Sequence, residues 1–138
     1  MDTELRRVSS PDDWSAYHTL RETVLWTRLI DLPPYDRSHP DETADGHFPF
    51  LFVVDNEGIG TIRVDVEPPV AWFRLVAIRD DYQGRGLGKR MLDLATDFAK
   101  ARGCSIIRCN AERDAVGFYE TIGFRPIGDS AVNLVKTL

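Results

Sequence analysis

Three strand-like runs follow one another with almost no chain between them, and this limits the fold more than any other feature of the sequence. Phe50 to Asp55 is apolar nearly throughout, the pattern of a strand covered on both faces. Asn56-Glu57-Gly58 supplies turn chemistry, and Ile59 to Glu67 follows as its hairpin partner. In that partner Ile62, Val64 and Val66 share one face, while Thr61, Arg63, Asp65 and Glu67 share the other. The polar set reads as a solvated face. Pro68-Pro69 ends the run, and Val70 to Ile78 makes the next strand. The middle of the chain is therefore a sheet.

The flanks alternate helix and strand. Glu4 to Val8 is a short first strand. Ser10-Pro11-Asp12-Asp13 reads as a helix start, with a hydroxyl cap, proline at the first helical position and acids at the positive helix end. Trp14, Tyr17, Leu20/Arg21, Val24/Leu25 and Leu29 recur at helical spacing and form one stripe. From Asp31 to about His47 the pattern gives way to a polar, proline-containing loop, of a length that is often functional in a compact domain. After the central strands comes a glycine-rich turn, then a helix from about Leu87 to Arg102 with Leu87, Met91, Leu94/Ala95 and Phe98 inward and Gly103 closing it. Ser105 to Asn110 is a fifth strand, Ala115 to Ile122 a short helix ended by Gly123, and Phe124 to Ile127 and Ala131 to Thr137 two last strands. The order β-α-β-β-β-α-β-α-β-β predicts an α/β (α+β) fold, a mixed sheet with helices on both sides.

Composition narrows the function classes. With 138 residues, 43% hydrophobic and 28% charged, the chain reads as one globular domain over residues 1–138. Its 22 acidic residues outnumber 17 basic ones, which argues against a nucleic-acid partner held by phosphate neutralisation. No apolar run approaches the roughly 18 residues needed to cross a bilayer, and Met1 to Arg7 lacks the apolar stretch of a secretory signal. Cys104 and Cys109 lie in or beside one strand at odd spacing, which predicts that they face opposite ways and do not pair. They also lack metal-site spacing. The expectation is a reduced, cytoplasmic protein with no metal and no membrane partner.

Gln83-Gly84-Arg85-Gly86-Leu87-Gly88-Lys89 joins a strand to a helix. Glycines let the backbone curl and approach a ligand closely. The helix behind them offers unpaired N–H groups to an anion such as a pyrophosphate, and Arg85 and Lys89 add charge. A nucleoside-triphosphate loop fits poorly, because three residues rather than four separate Gly84 from Gly88 and Arg90 follows Lys89 where a hydroxyl is needed. The dinucleotide fingerprint also fails, since the glycines are evenly spaced by two. A plain glycine turn into a helix is the alternative.

The stretch Leu75-Val76-Ala77-Ile78-Arg79-Asp80-Asp81-Tyr82-Gln83-Gly84-Arg85-Gly86-Leu87-Gly88 resembles the cofactor loop, (Q/R)-x-x-G-x-(G/A), and preceding strand of the GNAT superfamily of acyl-CoA-dependent N-acyltransferases. A second block, Ala115-Val116-Gly117-Phe118-Tyr119-Glu120-Thr121-Ile122-Gly123-Phe124, resembles that family's A-x-x-F-Y-x-x-x-G-F segment. Both blocks stand in the family's order, and the element order matches its fold from about Leu5 onward. The resemblance implies a GNAT-like, mostly antiparallel sheet of six to seven strands. It implies acetyl-CoA as cosubstrate and transfer of acetyl to a primary amine of a small molecule or peptide, by direct attack through a tetrahedral intermediate. By the same resemblance Val76, Ala77 and Ile78 match strand positions that bind the pantetheine arm. Gln83, Gly84, Arg85, Gly86, Leu87, Gly88 and Lys89 match the pyrophosphate loop. Tyr119 matches a tyrosine beside the CoA sulfur, where a phenol can protonate the leaving thiolate.

One departure is visible: Glu112 stands where many members carry an asparagine that contacts the cofactor, with Asn110 nearby as a substitute. No acid lies on the fourth or fifth strand to serve as base, which leaves Asp65, Glu67, His47 or a water relay. Cys109 has no histidine near it in sequence and reads as a structural thiol. His39 to His47 followed by Gly60-Thr61-Ile62-Arg63 loosely resembles one GNAT subgroup with an acidic loop, a histidine and a later G-x-x-R. Residues Trp26 to Tyr35 border the acceptor cleft by the same resemblance, and the loop's acids suit a cationic amine. A non-catalytic acyl-CoA-binding sensor or partner module is the alternative function. A homodimer through the terminal strand Ala131 to Thr137 is compatible with this reading.

Overall fold

The computed structural model describes residues 1–28 and 32–138. Leu29 and Asp31, which the sequence places at the end of the first helix and the start of the loop, lie outside the described residues.

Seven strands form one sheet in the order β1-β2-β3-β4-β5-β7-β6: β1 Thr3–Arg7, β2 His47–Val54, β3 Glu57–Glu67, β4 Val70–Ile78, β5 Ile106–Asn110, β6 Arg125–Pro126 and β7 Asn133–Thr137. Every pair is antiparallel except β4 with β5. The β2–β3 hairpin turns on Asp55 and Asn56, at φ 48° and 69°. Two left-handed central residues give the turn whose twist matches paired strands. β3 therefore begins earlier than its apolar pattern suggests.

Helix α1 (Pro11–Leu20) starts as its sequence dictates, with Ser10 Oγ accepting from the Asp13 N–H at 3.0 Å. It runs on into a π-helical segment, Arg21–Trp26. Helices α2 (Leu87–Ala101) and α3 (Val116–Thr121) complete the helical set. The near-continuous apolar run of β2 is explained by packing on both faces. Phe50, Phe52 and Val54 join Ile62, Val64 and Phe73 against Met91 and Ala95 of α2 and Tyr119 of α3. Leu51 and Val53 face Tyr17, Leu20, Val24 and Leu25 on the α1 side. At Gly60 the layers close tightly. A Cβ there would meet Ile78 Cδ1 at 2.8 Å and the Ala77 carbonyl oxygen at 3.0 Å.

Three expectations need correction. Thr61, Arg63 and Asp65 are not a solvated face: all three are buried, because α1 packs over β3 and Glu42 reaches in from the loop. Glu67 alone of that set is exposed. Cys104 and Cys109 are both free, as expected, but they share the α2-side core. β5 begins only at Ile106, so strand alternation does not govern Cys104. Finally, β7 is not the outermost strand of the sheet, although β6 pairs with only two of its residues. It pairs with β5 along its length and with β6 at Leu134 and Val135.

β4 is the strand that makes a site. Its parallel pairing with β5 stops at Phe73 and Cys109, leaving Arg74 to Ile78 without a β5 partner. In the same place the β3–β4 register shifts between Thr61 and Arg63, and Leu75 takes φ 51°. A bulge here bends the strand. β4 and β5 part, and the sheet opens. Among the described residues no helix is long and apolar enough to cross a membrane, and no group of three or more His, Cys, Asp or Glu is placed to hold a metal.

Candidate active site

The opening between β4 and β5 is a cavity of about 790 Å³. Val76, Ala77 and Ile78 form one wall. Because they lie beyond the β5 pairing, backbone groups on that side of β4 have no strand neighbour and are open to a ligand. Asn110 and Tyr119 stand on the other wall, with Glu112 and Phe118 beside them. Gln83, Gly84, Gly86, Gly88 and Lys89 close the end where α2 begins.

The α2 end is built to take negative charge. Gly86 caps the helix at φ 76° and no side chain bonds the first-turn N–H groups, which leaves donors and positive potential facing outward. No acid sits in that turn. A Cβ on Gly84 or Gly86 would meet nothing within 4 Å, so glycine serves the left-handed backbone there rather than space. Gln83 Nε2 donates to the Ile78 carbonyl at 2.8 Å and ties the loop to β4. Two residues of the sequence motif point elsewhere. Leu87 is buried in the α2-side core, and the Arg85 guanidinium lies 5.0 Å from the Tyr82 ring centroid. Lys89 lines the cavity but pairs with Asp93 at 2.8 Å.

Tyr119 is only 5% exposed, packed edge-on to Phe118 and Phe124. Burial pushes its phenol well above the usual value, and the neighbouring Cys109 and Glu112 push the same way. It makes no side-chain hydrogen bond among the described residues, so a neutral O–H is left for a ligand. Burial pushes the Cys109 thiol up to about 12, which leaves it without the thiolate a nucleophile needs.

The α1 side of the sheet holds a charge cluster that sequence reading missed. Arg21, 1% exposed, pairs with Glu42 and donates to the Tyr17 hydroxyl. Tyr17 in turn donates to Glu42 at 3.0 Å, and burial raises its pKa far above normal. Arg63 lies 3.7 Å from Glu42 and grips Asp65 through two hydrogen bonds of 2.7 and 2.9 Å. His47 Nε2 and Arg74 Nε approach the same Asp65 at 3.5 and 3.6 Å. Asp65 and His47 are thus engaged with partners, and neither they nor Glu67 line the cavity. Its carboxylates are Glu112 and Asp114, with Leu25 and Arg28 on the α1 side. The one sequence signal for the cluster was an arginine, Arg21, standing in the helix's apolar stripe.

Comparison with known proteins adds to this geometry. The model of the acetyltransferase (GNAT) family matches residues 13–124. A Bacillus subtilis (strain 168) protein that carries an acetyltransferase name is 31% identical over 122 residues, 88% of this chain and 82% of the relative. Among solved structures, PaiA N-acetyltransferase from Thermoplasma acidophilum in complex with coenzyme A superposes with a TM-score of 0.79 at 19% identity, over 100% of both chains. An acetyltransferase from Thermus thermophilus gives 0.80 at 22%, over 100% of this chain and 98% of that one. At such identities the structures speak for the fold alone.

Proposed function

Because the chain belongs to the acetyltransferase (GNAT) family and is an acyltransferase by that membership, we propose that it transfers acetyl from acetyl-CoA to the primary amine of a small molecule or peptide within a single domain. The observation that carries this reading is the parting of β4 from β5 into a cavity that runs to the uncapped N-terminus of α2. A pyrophosphate suits that helix end, and an extended amide arm suits the open side of β4. The residues present fit the cosubstrate.

Each group then has a task. The thioester supplies the acetyl group, which a neutral amine attacks directly through a tetrahedral intermediate. Backbone N–H groups at Gly84 to Lys89 bind the phosphates, with Gln83 holding the loop to β4. Val76, Ala77 and Ile78 hold the pantetheine arm, and a β4 N–H faces the developing oxyanion. Tyr119, kept neutral by burial, gives its proton to the departing thiolate. Asn110 contacts the cosubstrate from β5. Glu112 and Asp114, the carboxylates that line the cavity, relay a proton from the amine.

A thermal-shift panel of CoA, acetyl-CoA, ATP and NAD tests the ligand class, since only a ligand of the folded state stabilises it. Thiol release from acetyl-CoA should then appear only on adding an amine. In Tyr119→Phe, kcat should fall by about 10²–10³-fold while acetyl-CoA still stabilises the fold. Stabilisation by acetyl-CoA with no turnover across a broad amine panel would favour a binding module and end the catalytic reading.

A further inference from the structure

Four arginines stand on the α1 side of the sheet, and three of them share two carboxylates. Arg21 and Arg63 meet Glu42, and Arg63 and Arg74 meet Asp65. Arg108 meets neither. Among the described residues it makes no side-chain hydrogen bond and no ion pair, and its Nε is buried with no partner. A buried donor left unpaired is costly and uncommon.

Trp72 holds this charge in place. The parallel register sets Trp72 beside Arg108, and the guanidinium carbons of Arg74 and Arg108 lie 4.2 and 4.4 Å from its ring centroid. Such contacts fix a guanidinium without satisfying its N–H donors. All three residues are half-buried rather than sealed. The next paired residues, Phe73 and Cys109, are the last before β4 and β5 part, and Phe73, Asn110 and Arg28 line the cavity. Trp72, Arg74 and Arg108 do not line the cavity itself; the surplus positive charge stands on the α1 side of the sheet, with Trp72 and Arg108 one register step behind the apex of the opening. It is distinct from the glycine turn, where Lys89 is paired with Asp93. Of the loop's acids, Glu42 is turned inward and neutralised, while Asp36, Asp41 and Asp45 stay exposed.

We propose that the acceptor is a small amine that also carries a carboxylate, and that Arg108, helped by Arg74, binds that carboxylate beside Trp72. The guanidinium fork matches a carboxylate through two parallel N–H bonds. The inference rests on the acetyl-transfer reading and adds the acceptor's chemical class to it.

Two measurements on the full chain separate the inference from that reading. In the first, amino acids and their carboxamides are compared as acceptors by thiol release from acetyl-CoA. The carboxylates should lead in kcat/KM by about tenfold or more, and Arg108→Gln should bring that ratio close to one. Arg108→Lys should keep part of it. In the second, Trp72 fluorescence is followed in a Trp14→Phe/Trp26→Phe background saturated with CoA while succinate or succinamide is titrated. Succinate should give a saturable response, lost in Arg108→Gln, and succinamide none. Equal use of carboxylates and carboxamides, or no Arg108-dependent response to succinate, overturns the proposal. A succinate response with no turnover of any amine keeps the anion site and refutes acetyl transfer.

Discussion

Glu42→Gln is the sharpest probe of how the loop before β2 is held. Glu42 is 7% exposed and Arg21 1%. The substitution keeps shape and an acceptor oxygen but removes the charge that offsets Arg21 and faces Arg63 at 3.7 Å. Arg21 already has one buried N–H, at Nε, without a partner. Stranding a buried charge costs about 3–5 kcal/mol. The lower end applies, since the amide still accepts a hydrogen bond. At roughly 4 °C per kcal/mol for a chain of this size, Tm should drop by about 12 °C. The urea midpoint should fall by about 1.5 M if m is near 2 kcal/mol/M. Asp41→Asn, one residue away and exposed, should stay within about 0.5 kcal/mol of the parent. Adding Arg21→Met to Glu42→Gln should recover much of the loss, because it removes the stranded charge. A Tm drop under about 3 °C for Glu42→Gln, or no recovery in the double variant, would refute the account of a buried, mutually dependent cluster.

Two further outcomes follow from burial. Burial lowers the pKa of His18, with Arg21 adding to the effect; its Nδ1 lies 2.6 Å from the Tyr35 hydroxyl and its ring stacks on Trp14. The unfolded chain therefore takes up a proton first, from about pH 6.5 downward. Stability should be full above that pH and decline as pH falls toward the folded value, a slope that His18→Gln flattens in urea titrations at stepped pH; an unchanged slope would exclude His18 as its source. Cys109, with its thiol near 12, should resist DTNB at pH 8 until urea unfolds the chain, and Cys109→Ala should retain acetyl transfer; rapid labelling of the folded protein would contradict the buried position.

The parts legible in the sequence were those settled by neighbours along the chain. Alternation in Ile59 to Glu67, the turn residues ahead of it and the glycines before α2 each act within a few residues, and the structure carries all three. The missed parts depend on what packs on top. Thr61, Arg63 and Asp65 alternate as an exposed face would, and only the return of α1 and Glu42 over β3 buries them. Glu42 stands in a stretch whose polarity gives no sign of an interior partner. Trp72 and Arg108 are far apart in the chain and meet only because β4 and β5 pair in parallel across α2. The place of β7 inside the sheet was hidden for a similar reason, since β6 adds itself to the sheet's margin with only two residues.

The bend in β4 also changes the strand's parity. Ahead of it, odd-numbered Ala71 and Phe73 belong to the α2-side core. Past it, even-numbered Val76 and Ile78 pack on that side, while Leu75 and Ala77 join the α1 side. One strand thus runs in two reading frames, and the residue that shifts the frame sits between the core segment and the cavity wall. Deleting one residue at Arg74 or Leu75 would restore a single frame, with Val76 and Ile78 kept on the α2 side two and four positions after Phe73, and would remove the bend. Both halves of β4 would keep their packing while the bend that accompanies the parting from β5 was lost. In a deletion scan of this strand, these two positions should separate folding from acetyl transfer.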